Sequence, residues 1–118
     1  LIEGERNLQG FMNAYLSLNP YYLTAPEVEL NHGYCDFFLM PDLTRWPMVK
    51  HSYILELKYL PQSATKEKAE AQWTEAVEQI KAYAQGEKVQ LLTKGTTLHP
   101  IVVQIKGYKA MRVEECGL

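Results

Sequence analysis

The chain has 118 residues, of which 47% are hydrophobic and 22% are charged, and its formal net charge at pH 7 is −2. The length and composition are ordinary for one soluble globular domain with a hydrophobic core. The slightly acidic balance argues against a domain that binds nucleic acid through its overall charge, although an average does not exclude a local basic patch.

The first part of the chain predicts a helix followed by a pair of strands. Apolar residues recur at helical spacing over about residues 5–18, and the pattern ends at Asn19 because the residue before a proline avoids the helical conformation. Residues 21–30 and 34–40 are rich in aromatic and aliphatic side chains, which predicts two strands joined by a hairpin turn. Pro26 favours an edge position or a bend for the first of these strands.

The second part of the chain predicts a central strand, a long helix and two further strands. Residues 51–60 are nearly all apolar, which favours a strand covered on at least one face. Residues 65–84 carry an apolar stripe at helical spacing, and Gly86 is a suitable C-terminal cap. Residues 99–105 and 110–113 predict the last two strands. This order predicts an α/β fold, in which helices flank a mixed central sheet.

Cysteine usage and the ends of the chain bear on where the domain belongs. Cys35 and Cys116 lie far apart and form no pair of metal ligands, so we expect free thiols in a reducing cytoplasm. No apolar run reaches the roughly 20 residues that cross a bilayer, and no signal peptide is visible, so we expect no membrane partner. The chain begins at Leu1 and opens directly into a helical pattern, so we expect residues 1–118 to be one domain cut from a longer protein.

Ionisable residues interrupt two of the apolar strands. Asp36 lies in the middle of one predicted strand, and Glu56 and Lys58 lie in the middle of the next. Since side chains alternate along a strand, Glu56 and Lys58 point to the same face. A buried charge must be paired, bind a metal or change its protonation state. If the two strands are neighbours, two carboxylates and one ammonium converge at one place on the sheet.

Two carboxylates beside an ammonium suit a metal-dependent hydrolytic site. Hard cations such as Mg²⁺ bind oxygen ligands, typically one or two carboxylates with waters and substrate phosphate. Asp36 and Glu56 would supply the carboxylates, and the backbone carbonyl of Leu57 is within reach. Lys58 could position the attacking water or neutralise charge in the transition state. The alternative is a plain salt bridge between Lys58 and a carboxylate, since Glu-x-Lys alone is a common sequence.

With these motifs, the chain resembles the PD-(D/E)XK nuclease superfamily over nearly its whole length. The features that carry the resemblance are the strand that opens with the motif Gly-x-x-Asp (Gly33 to Asp36), the strand with Glu56-Leu57-Lys58 and the long helix that follows. More narrowly, the chain is similar to the nuclease-like domain at the C-terminal end of bacterial AAA-ATPase-like proteins. Cys35 stands where proline is usual before the first acidic ligand, a variation that the superfamily tolerates.

The resemblance implies both a fold and an activity. The fold is a restriction-endonuclease-like core of helix, three strands, helix and strand. The activity is phosphodiester hydrolysis with Mg²⁺ or Mn²⁺, with nucleic acid as the partner and DNA as the polymer expected on family grounds. Asp36 and Glu56 match the metal-ligand positions, and Lys58 matches the lysine of the motif. An upstream AAA-ATPase-like domain is the expected partner in the full chain, and a homodimer is compatible with the resemblance.

Three further residues are candidates for accessory roles. Gln79 on the second helix resembles a glutamine that several branches of the superfamily carry there, where it reaches the active site or the DNA. Tyr83 follows one helical turn later on the same flank. For both residues the alternative is a partly exposed polar flank of the helix. Glu29 would be a secondary acidic ligand or a structural partner, and its alternative is a surface residue.

Two other classes of function remain open from the sequence. The first is a non-catalytic interaction module that keeps the nuclease fold and serves an upstream ATPase domain, which the acidic balance favours. The second is a structural sheet domain held by a salt bridge. His32, His51 and His99 show no ligand spacing, and we interpret them as turn or strand residues.

Overall fold

The computed structural model of the chain describes residues 22–30, 33–41, 47–48, 50–107 and 109–117, and for residues 22–30, 33–38 and 109–111 it describes the backbone alone. Within these residues it contains the strands β1 (Tyr22–Leu30), β2 (Gly33–Pro41), β3 (His51–Leu60), β4 (Thr97–Lys106) and β5 (Lys109–Glu115), and the helices α1 (Lys66–Gln85) and α2 (Glu87–Leu92). The helix predicted for residues 5–18 and the hairpin residues 31–32 lie outside the described residues.

The predicted order of three strands, a helix and two strands is confirmed. The bounds of β3 agree with the prediction, whereas β4 and β5 extend past their predicted bounds at both ends. The short helix α2 was not predicted, because its six residues are too few to show a helical period.

The strands form one mixed sheet in the order β1-β2-β3-β4-β5. Neighbouring strands are antiparallel except β3 and β4, which are parallel. Two helices separate β3 from β4, which gives the chain the length it needs to return in the same direction. The predicted central position of β3 is confirmed, and β1 occupies an edge of the sheet, as its proline suggested.

The helix α1 begins and ends at residues that satisfy its free backbone groups. The Thr65 hydroxyl accepts a hydrogen bond from the N–H of Lys68 at 3.2 Å, the usual role of an N-cap residue. At the other end, the N–H of Gly86 donates to the carbonyl of Tyr83 at 3.1 Å. The predicted cap is confirmed, but Gly86 has a φ of −67° and not the left-handed conformation, because the chain enters α2 at once.

The hydrophobic core lies between α1 and the face of β3 and β4. It contains Ile54, Trp73, Ala76, Ile80, Ala84, Val89, Val102 and Cys116. Burial raises the pKa of the Cys116 thiol, so this cysteine is an inert core residue. Cys116 is a free cysteine, whereas the side chain of Cys35 lies outside the described residues. Among those residues, no helix combines the length and apolar character that a membrane span requires.

Two turns contain glycines with positive φ. Gly95, after α2, has a φ of 86°, and Gly107, between β4 and β5, has a φ of 64°. The N–H of Gly107 also donates to the carbonyl of Leu60 at 2.9 Å, which ties this turn to the end of β3. A Cβ atom added at Gly107 would lie 2.1 Å from Oε1 of Gln62, the tip of an exposed side chain, whereas a Cβ added at Gly95 would meet nothing.

We predict that Gly95→Ala and Gly107→Ala each lower the free energy of unfolding by about 1 kcal/mol, because L-residues are strained in the left-handed region. The loss should be larger for Gly107→Ala, since Gln62 must also move. Gly117→Ala is the control, because Gly117 shows neither a positive φ nor a close neighbour. Urea unfolding monitored by circular dichroism measures all three. A Gly117→Ala loss as large as the other two would contradict this account of the turns.

Candidate active site

The strands that carry the predicted site are neighbours in the sheet. The pairs between β2 and β3 run from Leu39 opposite Tyr53 to Phe37 opposite Leu55. Continuing this register by one residue would set Asp36 opposite Glu56. Residues opposite each other in an antiparallel pair share a face of the sheet. The register therefore assigns Asp36 and Glu56 to one face, while the side chain of Asp36 lies outside the described residues.

Glu56 and Lys58 lie together on the face of the sheet that α1 covers. The Glu56 side chain is 4% exposed and the Lys58 side chain 23% exposed, and Nζ of Lys58 lies 3.5 Å from Oε2 of Glu56. The predicted same-face placement accounts for this contact, since the two residues are two apart in β3. Such an ion pair is expected both in a hydrolytic site and in a plain salt bridge, so the contact does not distinguish the two interpretations. Between them, Leu57 points the other way and is also buried.

A row of larger polar side chains continues from Lys58 toward β5. The register pairs Lys58 with Gln104 in β4, and Gln104 with Arg112 in β5. The guanidinium of Arg112 lies over the ring of Trp73, 4.1 Å from its centroid, a cation–π contact. Arg112 also pairs with Glu114 at 2.7 Å and with Glu70 at 3.6 Å. Trp73 is thus a packing residue.

Gln79 lies on the flank of α1 that faces β3. Gln72, two helical turns earlier on the same flank, donates from Nε2 to the carbonyl of Tyr59 in β3 at 3.1 Å. Oε1 of Gln79 is buried and has no hydrogen-bond partner among the described residues. Buried amide oxygens are seldom left in this state, which marks Gln79 as a residue of interest. Tyr83, one turn later, packs against the core.

Register reveals a further acidic residue that the sequence interpretation missed. Pro26 pairs with Phe37 and Val28 pairs with Cys35, so Glu27 is the residue in register with Asp36. Glu29 instead pairs with Tyr34. The sequence signal was the two-residue connection between Leu30 and Gly33, since the connection length fixes the register of a hairpin. The side chains of Glu27 and Glu29 lie outside the described residues.

Two histidines that seemed unrelated in the sequence are hydrogen bonded. Nδ1 of His51 lies 2.7 Å from Nε2 of His99, and Nδ1 of His99 contacts the carboxylate of Glu115. The ring of Tyr53 stacks on His99 with centroids 4.9 Å apart. His99 pairs with Tyr53 in the register, so this chain of side chains lies on the face opposite Glu56. Its members are 48 and 16 residues apart, and no local spacing in the sequence could have shown it.

Comparison with known families identifies the class of protein. A sequence model of the PD-(D/E)XK nuclease superfamily matches residues 3–115, so the chain belongs to this superfamily. The mixed sheet with its helices is the restriction-endonuclease-like α/β fold that the resemblance implied. Searches of curated proteins and of solved structures give no significant match.

The superfamily typically uses divalent metals, and the donors at β2 and β3 suit a hard cation. The Glu56 carboxylate is held on a covered face, and the candidate ligands, the carboxylates of Asp36 and Glu56 and the carbonyl of Leu57, are all oxygen donors. No group of three or more His, Cys, Asp or Glu side chains that could hold a metal occurs in the described part of the chain. Oxygen ligands of this kind are those that Mg²⁺ and Mn²⁺ bind in proteins, with waters in the remaining positions.

We predict that Lys58→Met lowers the free energy of unfolding at pH 7 by about 1–2 kcal/mol, because the buried Glu56 carboxylate loses its cation. The double variant Glu56→Gln/Lys58→Met should recover most of this loss, since it removes both charges of the pair. A double-mutant cycle by urea unfolding measures the coupling between the two side chains. Additive effects would mean that the contact contributes nothing to stability.

Proposed function

We propose that this domain hydrolyses phosphodiester bonds in DNA with Mg²⁺ or Mn²⁺ held at β2 and β3. The observation that carries the proposal is the buried carboxylate of Glu56, 3.5 Å from the ammonium of Lys58. The two belong to the Glu-x-Lys segment of a chain in the PD-(D/E)XK nuclease superfamily. A carboxylate and an ammonium on a covered face combine a metal ligand with a donor for a developing negative charge.

Each residue of the proposed site has a distinct role. Asp36, Glu56 and the carbonyl of Leu57 hold the metal, which supplies charge neutralisation at the phosphate and a more acidic water. Lys58 has only donors, so its ammonium orients the attacking water or stabilises the charge that develops on the phosphate oxygens. In the reaction, the water oxygen forms a bond to phosphorus and the opposite P–O bond breaks. The products are a phosphate monoester and an alcohol.

Gln79 completes the proposed site from the side of α1. Its buried Oε1 has no hydrogen-bond partner among the described residues, and a bound water or a substrate group would satisfy it. Two further residues have accessory roles in the proposal. Tyr83 packs along the flank of α1 that carries Gln79, and Glu29 on β1 is a secondary acidic ligand or a structural partner. Gln79 contributes to binding, so its loss should affect the reaction less than loss of Lys58.

The proposal extends to the setting of the domain. DNA is the proposed substrate because of the superfamily, and the net charge of −2 means that the contacts must be local. We further propose that the domain works in the cytoplasm beside an upstream AAA-ATPase-like domain, and that a homodimer is one assembly in which it acts.

The alternative is a non-catalytic module that retains the nuclease fold and serves the ATPase domain. The observation that favours it is the direct Lys58–Glu56 ion pair, which gives the buried carboxylate a neighbouring positive charge without a metal. Metal binding and cleavage distinguish the two functions, because a salt bridge that serves the fold alone requires neither.

We predict that Mn²⁺ raises the melting temperature of the wild type, because a ligand that binds only the folded state stabilises it by mass action. Asp36→Asn and Glu56→Gln should lose most of this rise. Glu75→Gln is a matched control, since it makes the same chemical change at an exposed position of α1. Differential scanning calorimetry with and without Mn²⁺ gives the answer. An equal rise in all four proteins would place the ion elsewhere.

We predict that Lys58→Met separates metal binding from catalysis. Cleavage of plasmid DNA should fall by about a hundredfold or more, the usual scale for loss of one general base or one electrostatic contact. The affinity for Mn²⁺ should be retained or increase, because a neighbouring positive charge has gone. Calorimetric titration and a nicking assay on the same preparations measure both quantities.

Lys94→Met is the control for this experiment, because Lys94 is exposed and lies in the turn after α2. It should nick DNA at the wild-type rate. If Lys58→Met also nicks at that rate, Lys58 is only a salt-bridge partner. If the wild type fails to nick DNA both with Mg²⁺ and with Mn²⁺, the interaction module becomes the better account.

A further inference from the structure

Gln104 is a polar side chain in the middle of the core. It lies in β4, is 2% exposed, and is among the largest fully buried side chains of the described residues. An unpaired amide in such a place would be costly. Nε2 of Gln104 donates to the carbonyl of Ala69 in α1 and to Oε1 of Gln72, each at 2.9 Å. Both N–H groups of the Gln104 amide nitrogen therefore have an acceptor.

Gln72 continues this network into β3. Its Nε2 donates to the carbonyl of Tyr59 at 3.1 Å. The direction of the network is fixed, because the carbonyls of Ala69 and Tyr59 can only accept and each therefore faces an amide nitrogen. Oε1 of Gln72 is left to accept from Gln104. Two glutamines thus connect β4, α1 and β3 in one defined arrangement.

The network lies next to Lys58 in the sheet. Gln104 is the register partner of Lys58 on β4, and the Tyr59 carbonyl belongs to the next residue along β3. The β2–β3 pairs described above end at Phe37 and Leu55, so the half of β3 that carries Lys58 lies beyond them. A backbone carbonyl on a buried strand needs a donor, and α1 supplies one through Gln72.

We propose that Gln72 and Gln104 are positioning residues, which hold the second half of β3 so that Lys58 is directed toward Glu56. The inference rests on the proposed nuclease function and extends it, since neither glutamine would touch substrate. An apolar pair could pack α1 on the sheet equally well. Two directional amides instead fix the position of the β3 backbone beside Lys58. A fixed position matters because small displacements of reacting groups lower the reaction rate strongly.

The first test does not depend on activity. The coupling between Lys58 and Glu56, from the double-mutant cycle described above, is measured again in a Gln72→Met background. Methionine keeps the length of the side chain and removes both of its hydrogen bonds. Gln72 is half-buried, so this variant is expected to fold, and Gln104→Met is the second variant. The coupling should fall by at least half in Gln72→Met.

Gln90→Met is the matched control. Nε2 of Gln90 donates to the carbonyl of Ala84 at 2.7 Å, so its loss removes a similar bond between a side chain and the backbone, away from Lys58. The coupling between Lys58 and Glu56 should be unchanged in this background. An unchanged coupling in Gln72→Met, or an equal fall in both backgrounds, would overturn the proposal.

The second test is steady-state cleavage by the same variants, well below their melting temperatures. In Gln72→Met the kcat should fall about tenfold, with KM for DNA and the affinity for Mn²⁺ within twofold of the wild type. Gln90→Met should keep the wild-type kcat. A kcat that falls only in proportion to the unfolded fraction would show a merely structural role and overturn the proposal. If the coupling falls in the Gln72→Met background but the wild type never cleaves DNA, the nuclease function is rejected and the positioning of Lys58 remains supported.

Discussion

The Glu56 carboxylate lies on a covered face of the sheet, and the ammonium of Lys58, 3.5 Å away, is the charge that accompanies it there. Removing a carboxylate from water is costly unless a partner compensates for the lost hydration. The two residues are two apart on the same strand, which places their side chains on the same face of the sheet. What the rest of the fold must provide is a cover for this face and a fixed path for the strand.

The helix α1 provides both, with two different flanks. Its apolar stripe packs on Ile54 and Val102, where β3 and β4 run side by side. Its polar flank carries Gln72, which bonds to β3 and to Gln104, and Gln79, whose buried oxygen is unsatisfied among the described residues. One helix therefore packs on the hydrophobic core through its apolar stripe and bonds to the backbone of β3 next to Lys58 through its polar flank.

The sequence was sufficient to predict the elements with strong local signals. Apolar runs bounded by turns indicated β3, and helical spacing together with Gly86 indicated α1. The alternation of side chains along β3 placed Glu56 and Lys58 on one face. These features depend on residues close together in the chain, so propensity and period suffice for them.

Other features depend on register between distant strands, and the sequence alone could not give them. The hydrogen bond between His51 and His99 and the network from Gln104 to Gln72 join residues that are 48 and 32 apart. Glu27 was overlooked for a different reason, since the two-residue connection between β1 and β2 was a signal in the sequence for the pairing that sets Glu27 beside Asp36. The short α2 was missed because its six residues are too few to show a helical period.

The central claim is that Asp36 and Glu56 hold a divalent metal beside Lys58. Anomalous diffraction from crystals grown with Mn²⁺ tests it most directly. The account predicts one anomalous peak roughly 2.0–2.6 Å from carboxylate oxygens of both Asp36 and Glu56, with Lys58 close by and not itself a ligand. A well-ordered site with no peak at saturating Mn²⁺, and the Lys58 ammonium seated between the two carboxylates, would contradict it.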